Sequence, residues 1–284
     1  MQSQTLSDVW SASTHVLVDR LLVRDWETDL PWRDVVPDSL PNELHLLPAV
    51  LQLDQLDEAQ RQHVRQQLAV EGASEVAPAM LIGSELSADA LARQLARHVV
   101  ITLADDSRAL LRFADPSVFV HLLWVLPLPY LASLCDGVER WSVPFRSLWW
   151  ELEFSERPEG EWNRLDEAQS VALTHVGLIN DVLASLPDIS DLKQWWRRSQ
   201  EVNEWLKLAE EECDLTNPSD CVAFARHGAL LGEGFSRHPK LASSLRAAIA
   251  TPGHYAQATA SLSEREWRGV IADIERMNRE REPS

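Results

Sequence analysis

The residues of this chain that could do chemistry are few and scattered. Gly83-Ser84-Glu85 sets a serine directly after an apolar run, where a hydroxyl could serve as a nucleophile. A nucleophile elbow needs flanking glycines on both sides of the serine. The preceding G-x pair and the second glycine are both missing here, so the segment reads as a polar turn after a buried strand. Asp115-Pro116 puts a carboxylate at a strand-to-helix junction, where it could act as an acid or a base. With proline following, it fits a helix N-cap better, because the carboxylate accepts the free N–H groups of the first turn. Nine histidines are spread along the chain, and none stands three or four residues from another, the helical spacing of metal ligands. His227 and His238 each adjoin an arginine, Arg226 and Arg237, which opposes a bound cation. His121 and His175 lie in apolar helical stretches and read as core or interface histidines. The sequence holds no HExxH, CxxC, P-loop or GxGxxG. No catalytic, metal-binding or cofactor-binding residue is therefore assigned.

Tryptophan is the other chemical signal. The chain has 12 tryptophans and only 2 tyrosines. Trp is a rigid anchor in cores and in protein interfaces. Trp195, Trp196 and Trp205 share one face of a predicted helix, a spacing that suits a core face and a partner-facing face alike. With Trp141 they form the candidate partner-binding set. Glu210-Glu211-Glu212 clusters at the end of the same helix, against the helix dipole. That points either to a basic neighbour or to a solvated helix end.

The elements that must position these residues fall into two kinds. In the first half, His15–Val18 reads as a short strand. Leu44–Leu53, with Pro48 inside it, reads as an edge strand or extended segment. Asp57–Val70 is a polar helix ended by Gly72, and Ala77–Ile82 is a buried strand. Ser87 caps a helix over Ala88–Arg97. Val99–Leu103 and Ala109–Phe113, joined by the Asp105-Asp106-Ser107 turn, read as a hairpin, and a helix starts at Ser117. Val138–Val143 and Leu148–Phe154 are further strands. The charged stretch Ser155–Glu161, with Pro158 and Gly160, is the best linker. Beyond it come helices over Asp166–Leu186, Ser190–Cys213, a segment capped by Ser219 or Asp220 through Leu231, and Pro239–Ala250. Ser263 and Glu266 form a capping box before Trp267, Val270, Ile271 and Ile274, and Met277–Ser284 reads as a frayed end. The expected fold is an α+β or α/β N-terminal lobe with a mixed sheet over residues 1–154. An all-α lobe follows over residues 155–284.

The totals bound the class. The 284 residues are 45% hydrophobic, enough for a core. The formal net charge of −18 opposes binding to nucleic acid and to an anionic membrane surface, and favours solubility and a basic protein partner. Three cysteines, Cys135, Cys213 and Cys221, fit a reducing compartment. A bridge between Cys213 and Cys221 stays open beside two reduced thiols. Met1-Gln2-Ser3-Gln4-Thr5 has neither the basic region nor the apolar core of a secretory signal. The longest apolar run, around Val118–Leu134, is cut by Pro127 and Pro129 and contains His121, so no membrane span is expected.

An ordered set of motifs then carries a resemblance. Val16-Leu17-Val18-Asp19 comes first, followed by the proline-containing Leu46-Leu47-Pro48-Ala49-Val50-Leu51-Gln52-Leu53. The strand Ala79–Ile82 leads through Ser84 to the helix Leu91-Ala92-Arg93-Gln94-Leu95-Ala96-Arg97. The most specific element is Leu110-Leu111-Arg112-Phe113-Ala114-Asp115-Pro116-Ser117-Val118-Phe119, and Gly137-Val138-Glu139-Arg140-Trp141 closes the set. Over His15–Val143 the chain resembles the type VI secretion adaptor family, the Tap-like effector-chaperone domain. Ala114 and Ser117 depart from the aromatic and arginine usual at those places.

The resemblance implies a non-catalytic adaptor. Such a protein binds the N-terminal region of a toxic effector in the bacterial cytoplasm and loads it onto the VgrG spike, with no cofactor, nucleic acid or membrane involved. Two other readings are an immunity protein that neutralises a toxin, which also suits the acidic charge, and a hydrolase that uses Ser84 or a carboxylate pair.

Overall fold

A computed structural model of the chain describes residues 3–23, 26, 29–69, 76–152 and 164–279. The chain divides into two compact units at Leu173–Thr174. The Ser155–Glu161 linker candidate, Gly72, Trp162 and the last residues of the tail lie outside the described residues.

The first unit runs β1 (Ser3–Gln4), α1 (Leu6–Ser11), β2 (His15–Asp19), β3 (Arg33–Asp34), β4 (Pro48–Gln52), α2 (Glu58–Leu68) and β5 (Ala79–Gly83). It continues through α3 (Ala88–Ala96), β6 (Val100–Thr102), β7 (Arg108–Leu110), α4 (Pro116–Val125), α5 (Leu128–Leu134), β8 (Arg140–Phe145) and β9 (Leu148–Leu152). A seven-stranded sheet has the order β1-β9-β8-β5-β2-β4-β3, and β6 pairs with β7 in a separate hairpin. Each recorded pair is antiparallel. The lobe is therefore the α+β alternative, and the mixed sheet narrows to an antiparallel one.

Both faces of the sheet are covered at its centre, since all five residues of β2 and all five of β5 are buried. Side chains alternate between faces along a strand. Val16 and Val18 of β2, Leu51 of β4 and Leu81 of β5 point into one cluster with Val9, Val64 and Leu68 of α1 and α2. The register sets Leu17 beside Val50 and Met80, the residues of the opposite face. There Trp141 of β8 stacks on Phe119 of α4, with ring centroids 4.8 Å apart. The outermost strands, β1 and β3, have two residues each.

Local capping explains where several helices begin. Thr5 with Asp8, and Asp57 with Gln60, form reciprocal capping boxes, and Ser87 and Asp115 each accept from the first turn of their helices. The second strand of the hairpin is a correction. It ends at Leu110, not Phe113, because Arg112 to Asp115 already form the turn that caps α4.

Helix α6 (Glu167–Ala184) spans the division, and α7 (Leu192–Glu211), α8 (Pro218–Leu231), α9 (Pro239–Ala250), α10 (His254–Ala260) and α11 (Glu264–Arg279) follow. The cap of α8 is Asn217, with Pro218 in the first helical position, rather than Ser219 or Asp220. Asp220 instead caps a different helix. Its carboxylate is buried and accepts from Gly253 N at 2.6 Å and Ala256 N at 2.8 Å, the start of α10. The Ser263–Glu266 box forms as expected, with Ser263 N donating to Glu266 Oε2 at 2.9 Å. The three cysteines are free thiols. Among the described residues no helix is long and apolar enough to cross a membrane.

Asp220→Ala is expected to destabilise the helical unit by about 3 kcal/mol, since it removes charge-assisted bonds and strands two backbone donors. Chemical denaturation followed by circular dichroism measures it, and a midpoint equal to wild type would refute the cross-helix cap.

Burial gives each unit an acid-sensitive ring. His98 in the first and His227 in the second are pushed down to about 4 by burial, with Arg97 and Arg226 adding to the shift. Both rings are neutral in the fold, and both take up a proton near pH 6.5 when unfolded. Their contribution is complete above pH 6.5 and is lost as pH falls towards 4, by up to roughly 3 kcal/mol each. Urea unfolding at a series of pH values should show this slope, and His98→Gln or His227→Gln should flatten it. An unchanged slope in both variants would place the acid sensitivity elsewhere.

Candidate partner-binding site

Three of the motif residues meet at one polar junction. Asp19 ends β2, and Arg112 and Asp115 flank the turn into α4. Arg112 donates from Nε at 3.0 Å and from Nη2 at 2.8 Å to Asp19 Oδ2, and its Nη2 lies 3.0 Å from Asp115 Oδ2. Both carboxylates are nearly buried, while the arginine side chain is 37% exposed. The second oxygen of each carboxylate binds backbone: Asp19 Oδ1 accepts from Leu21 N at 2.9 Å, and Asp115 Oδ1 from Ser117 N at 2.9 Å. The recorded bonds of both carboxylates thus hold the end of β2 and the start of α4 together through Arg112. The link from Asp19 to Arg112 had no signal in the sequence beyond the presence of both motifs.

The tryptophans divide between the two units. Trp141 is wholly buried, stacked on Phe119, with its Nε1–H donating to Met80 Sδ at 3.2 Å. A ring without surface cannot meet a partner, so Trp141 is corrected to a core residue. On α7, Trp195 is buried, and Trp196 and Trp205 are half-buried. Trp205 packs edge-on to Phe224 and Phe235, with centroids 6.4 and 5.8 Å away. Its indole lies over the bare backbone of Gly228 on α8, where an added Cβ would come within 2.3 Å of the ring. At Trp205 the tryptophan face of α7 is thus the seam against α8.

The glutamate cluster also finds a neighbour inside the fold. Glu210 Oε2 lies 3.1 Å from His175 Nε2, and His175 Nδ1 lies 3.0 Å from Asn203 Oδ1. The neighbour that this carboxylate finds is therefore a histidine ring on α6, within hydrogen-bond distance. Ser84 is tied down as well. Its hydroxyl donates to Gly137 O at 2.5 Å and accepts from Leu86 N at 3.1 Å, so it builds a turn.

One surface of the helical unit escaped the sequence reading. Helices α8, α10 and α11 enclose an apolar groove of about 680 Å³, lined among others by His227, Leu230, Ala260, Trp267 and Ile271. Leu230 and Ile271 are 50% and 38% exposed. His227 forms its floor, with Nδ1 2.8 Å from Tyr255 Oη and the ring 4.9 Å from that of Trp267. The signal available was the amphipathic period of α11: Val270 and Ile274 face the core, and Ile271 falls beside them towards the groove. Apolar grooves of this kind can hold one face of a helix.

Comparison with known proteins bears on the first unit. Residues 43–133 match the family model described as "Domain of unknown function (DUF4123)". This is the family known as the type VI secretion effector-loading, Tap-like adaptor domain, so the family resemblance holds over that segment. Arg112 and Asp115 lie within the match, and Asp19 lies before it. No curated protein and no solved structure matches the chain.

Removing the cation of the junction leaves two nearly buried carboxylates facing each other. Arg112→Ala should cost about 2–3 kcal/mol, the partial exposure of the arginine holding the loss below that of a fully buried pair. Arg112→Lys should fall between, because a point charge cannot replace the fork that bridges both acids. Equilibrium unfolding decides this, and an Arg112→Ala protein as stable as wild type would rule out the junction as a stabilising element.

Proposed function

We propose that this chain is a non-catalytic adaptor that captures a type VI effector through the effector's N-terminal region and delivers it to the VgrG spike in the bacterial cytoplasm. The observation that carries this reading is the effector-loading domain match over residues 43–133. The fate of the matched polar residues supports it: Arg112 and Asp115 are spent on holding the turn before α4. Ser84, one of the residues on which a hydrolase reading depends, donates its hydroxyl hydrogen bond to the backbone carbonyl of Gly137, and among the described residues no hydrogen bond joins it to a histidine ring. The net charge of −18 suits a protein partner better than a nucleic acid.

The test is genetic and biochemical. Deletion of the gene should remove one effector from the medium while the spike itself is still secreted, and the purified chain should co-purify with that effector at equal stoichiometry. Ser84→Ala should restore secretion fully. An effector secreted normally from the deletion strain, with the cells now killed by their own toxin, would identify an immunity protein. Loss of function in a folded Ser84→Ala protein would return the hydrolase reading.

A further inference from the structure

In a chain of net charge −18, a set of arginines without counter-ions stands out. One such set lies in the first unit. Arg93 and Arg97 stand one helical turn apart at the end of α3, and Arg108 begins β7. All three line a cleft of about 450 Å³ whose remaining walls include Val36, Pro37 and Asp38. Three cations therefore face one carboxylate. The acids close by in sequence are engaged elsewhere: Asp89 pairs with Arg33 at 2.9 Å, Asp106 with Arg164 at 3.0 Å, and Asp105 accepts from Ser107 Oγ at 2.6 Å. Among the described residues none of the three arginines forms an ion pair, and Arg97 only reaches Gln94 Oε1 at 3.5 Å. The negative end of α3 accounts for two cations at its C-terminus. It does not account for the third, which arrives from a strand.

We propose that this cleft binds a short acidic peptide segment, with two carboxylates and an aliphatic side chain, belonging to a protein the chain holds. Guanidinium forks match carboxylates in bidentate geometry. Val36, Pro37, Ala96 and Val100 place an apolar strip among the arginines, which an aliphatic side chain would cover and a bare anion would leave empty. The volume falls in the range of about 300–1,000 Å³ usual for ligand sites. A nucleic acid would bring a continuous run of charge against the strongly negative molecule, whereas a few carboxylates need only the local field of the cleft. The cleft lies mostly within residues 43–133. The proposal rests on the adaptor reading only for the source of the segment.

The experiment uses the full chain and fluorescence anisotropy. The probe is a labelled hexapeptide of alternating Glu and Leu, with a twin in which Gln replaces Glu. The acidic peptide should bind at least about tenfold more tightly than the twin, and high salt should weaken it. Arg97→Glu and Arg108→Glu should each weaken binding about tenfold or more, with unchanged circular dichroism, since both side chains are exposed. Equal binding of the twin, or indifference to both reversals, overturns the proposal. So does displacement by inorganic phosphate or a single-stranded oligonucleotide at the same charge concentration, which would make this a general anion site. Peptide binding in a chain whose deletion leaves secretion intact would sink the adaptor reading alone. A secretion defect without peptide binding would sink the cleft alone.

Discussion

A single guanidinium fixes the geometry of the first unit. β2 is an inner strand of the sheet, with β4 on one side and β5 on the other. Its last residue, Asp19, is held by Arg112, which also holds Asp115, the cap of α4. The start of α4 is thereby pinned to the end of an inner strand. From that point α4 projects Phe119 onto Trp141, the largest fully buried side chain. Ion pairs at a protein surface contribute little, but two carboxylates withdrawn from water depend on their cation. The junction decides where the helix covering one face of the sheet begins, and the packing of that face follows from it.

The helical unit is organised on a different principle: side chains of one helix complete the ends or seams of another. Asp220, near the start of α8, supplies the acceptors for the start of α10. Gly228 gives up its side chain so that Trp205 can lie on the backbone of α8. Glu210, at the C-terminal end of α7, meets the ring of His175 on α6 at hydrogen-bond distance. Each is a polar or steric detail on which an otherwise ordinary amphipathic packing depends.

What was legible in the sequence was local. Ser87 and the Ser263–Glu266 box announced their helices, since capping involves residues three positions apart. The apolar run of β5 announced a buried strand, and that of β2 a short strand that the fold also buries. The sequence was silent where a partner is distant. Nothing near Asp19 points to Arg112, and nothing near Pro252-Gly253 shows that a carboxylate more than thirty residues earlier opens a helix there. Periodicity placed Trp195 and Trp205 on one face but could not say what the face touches; α8 turned out to supply much of the answer. The groove and the arginine cleft were hidden for the same reason, since each is assembled from three separated segments.

The two-residue outer strands of the sheet have a consequence for recognition. Long bare edges invite extension of the sheet by a foreign strand, which is both a route to aggregation and a common way of gripping an extended peptide. Among the described residues the outermost ladder on either side is two rungs long, so β1 and β3 themselves offer a visiting chain little backbone to extend. Recognition at these two strands falls to side chains. Those on the surface can be exchanged one at a time without disturbing the sheet beneath. A scaffold built this way can change its clientele by point substitution while its fold stays constant.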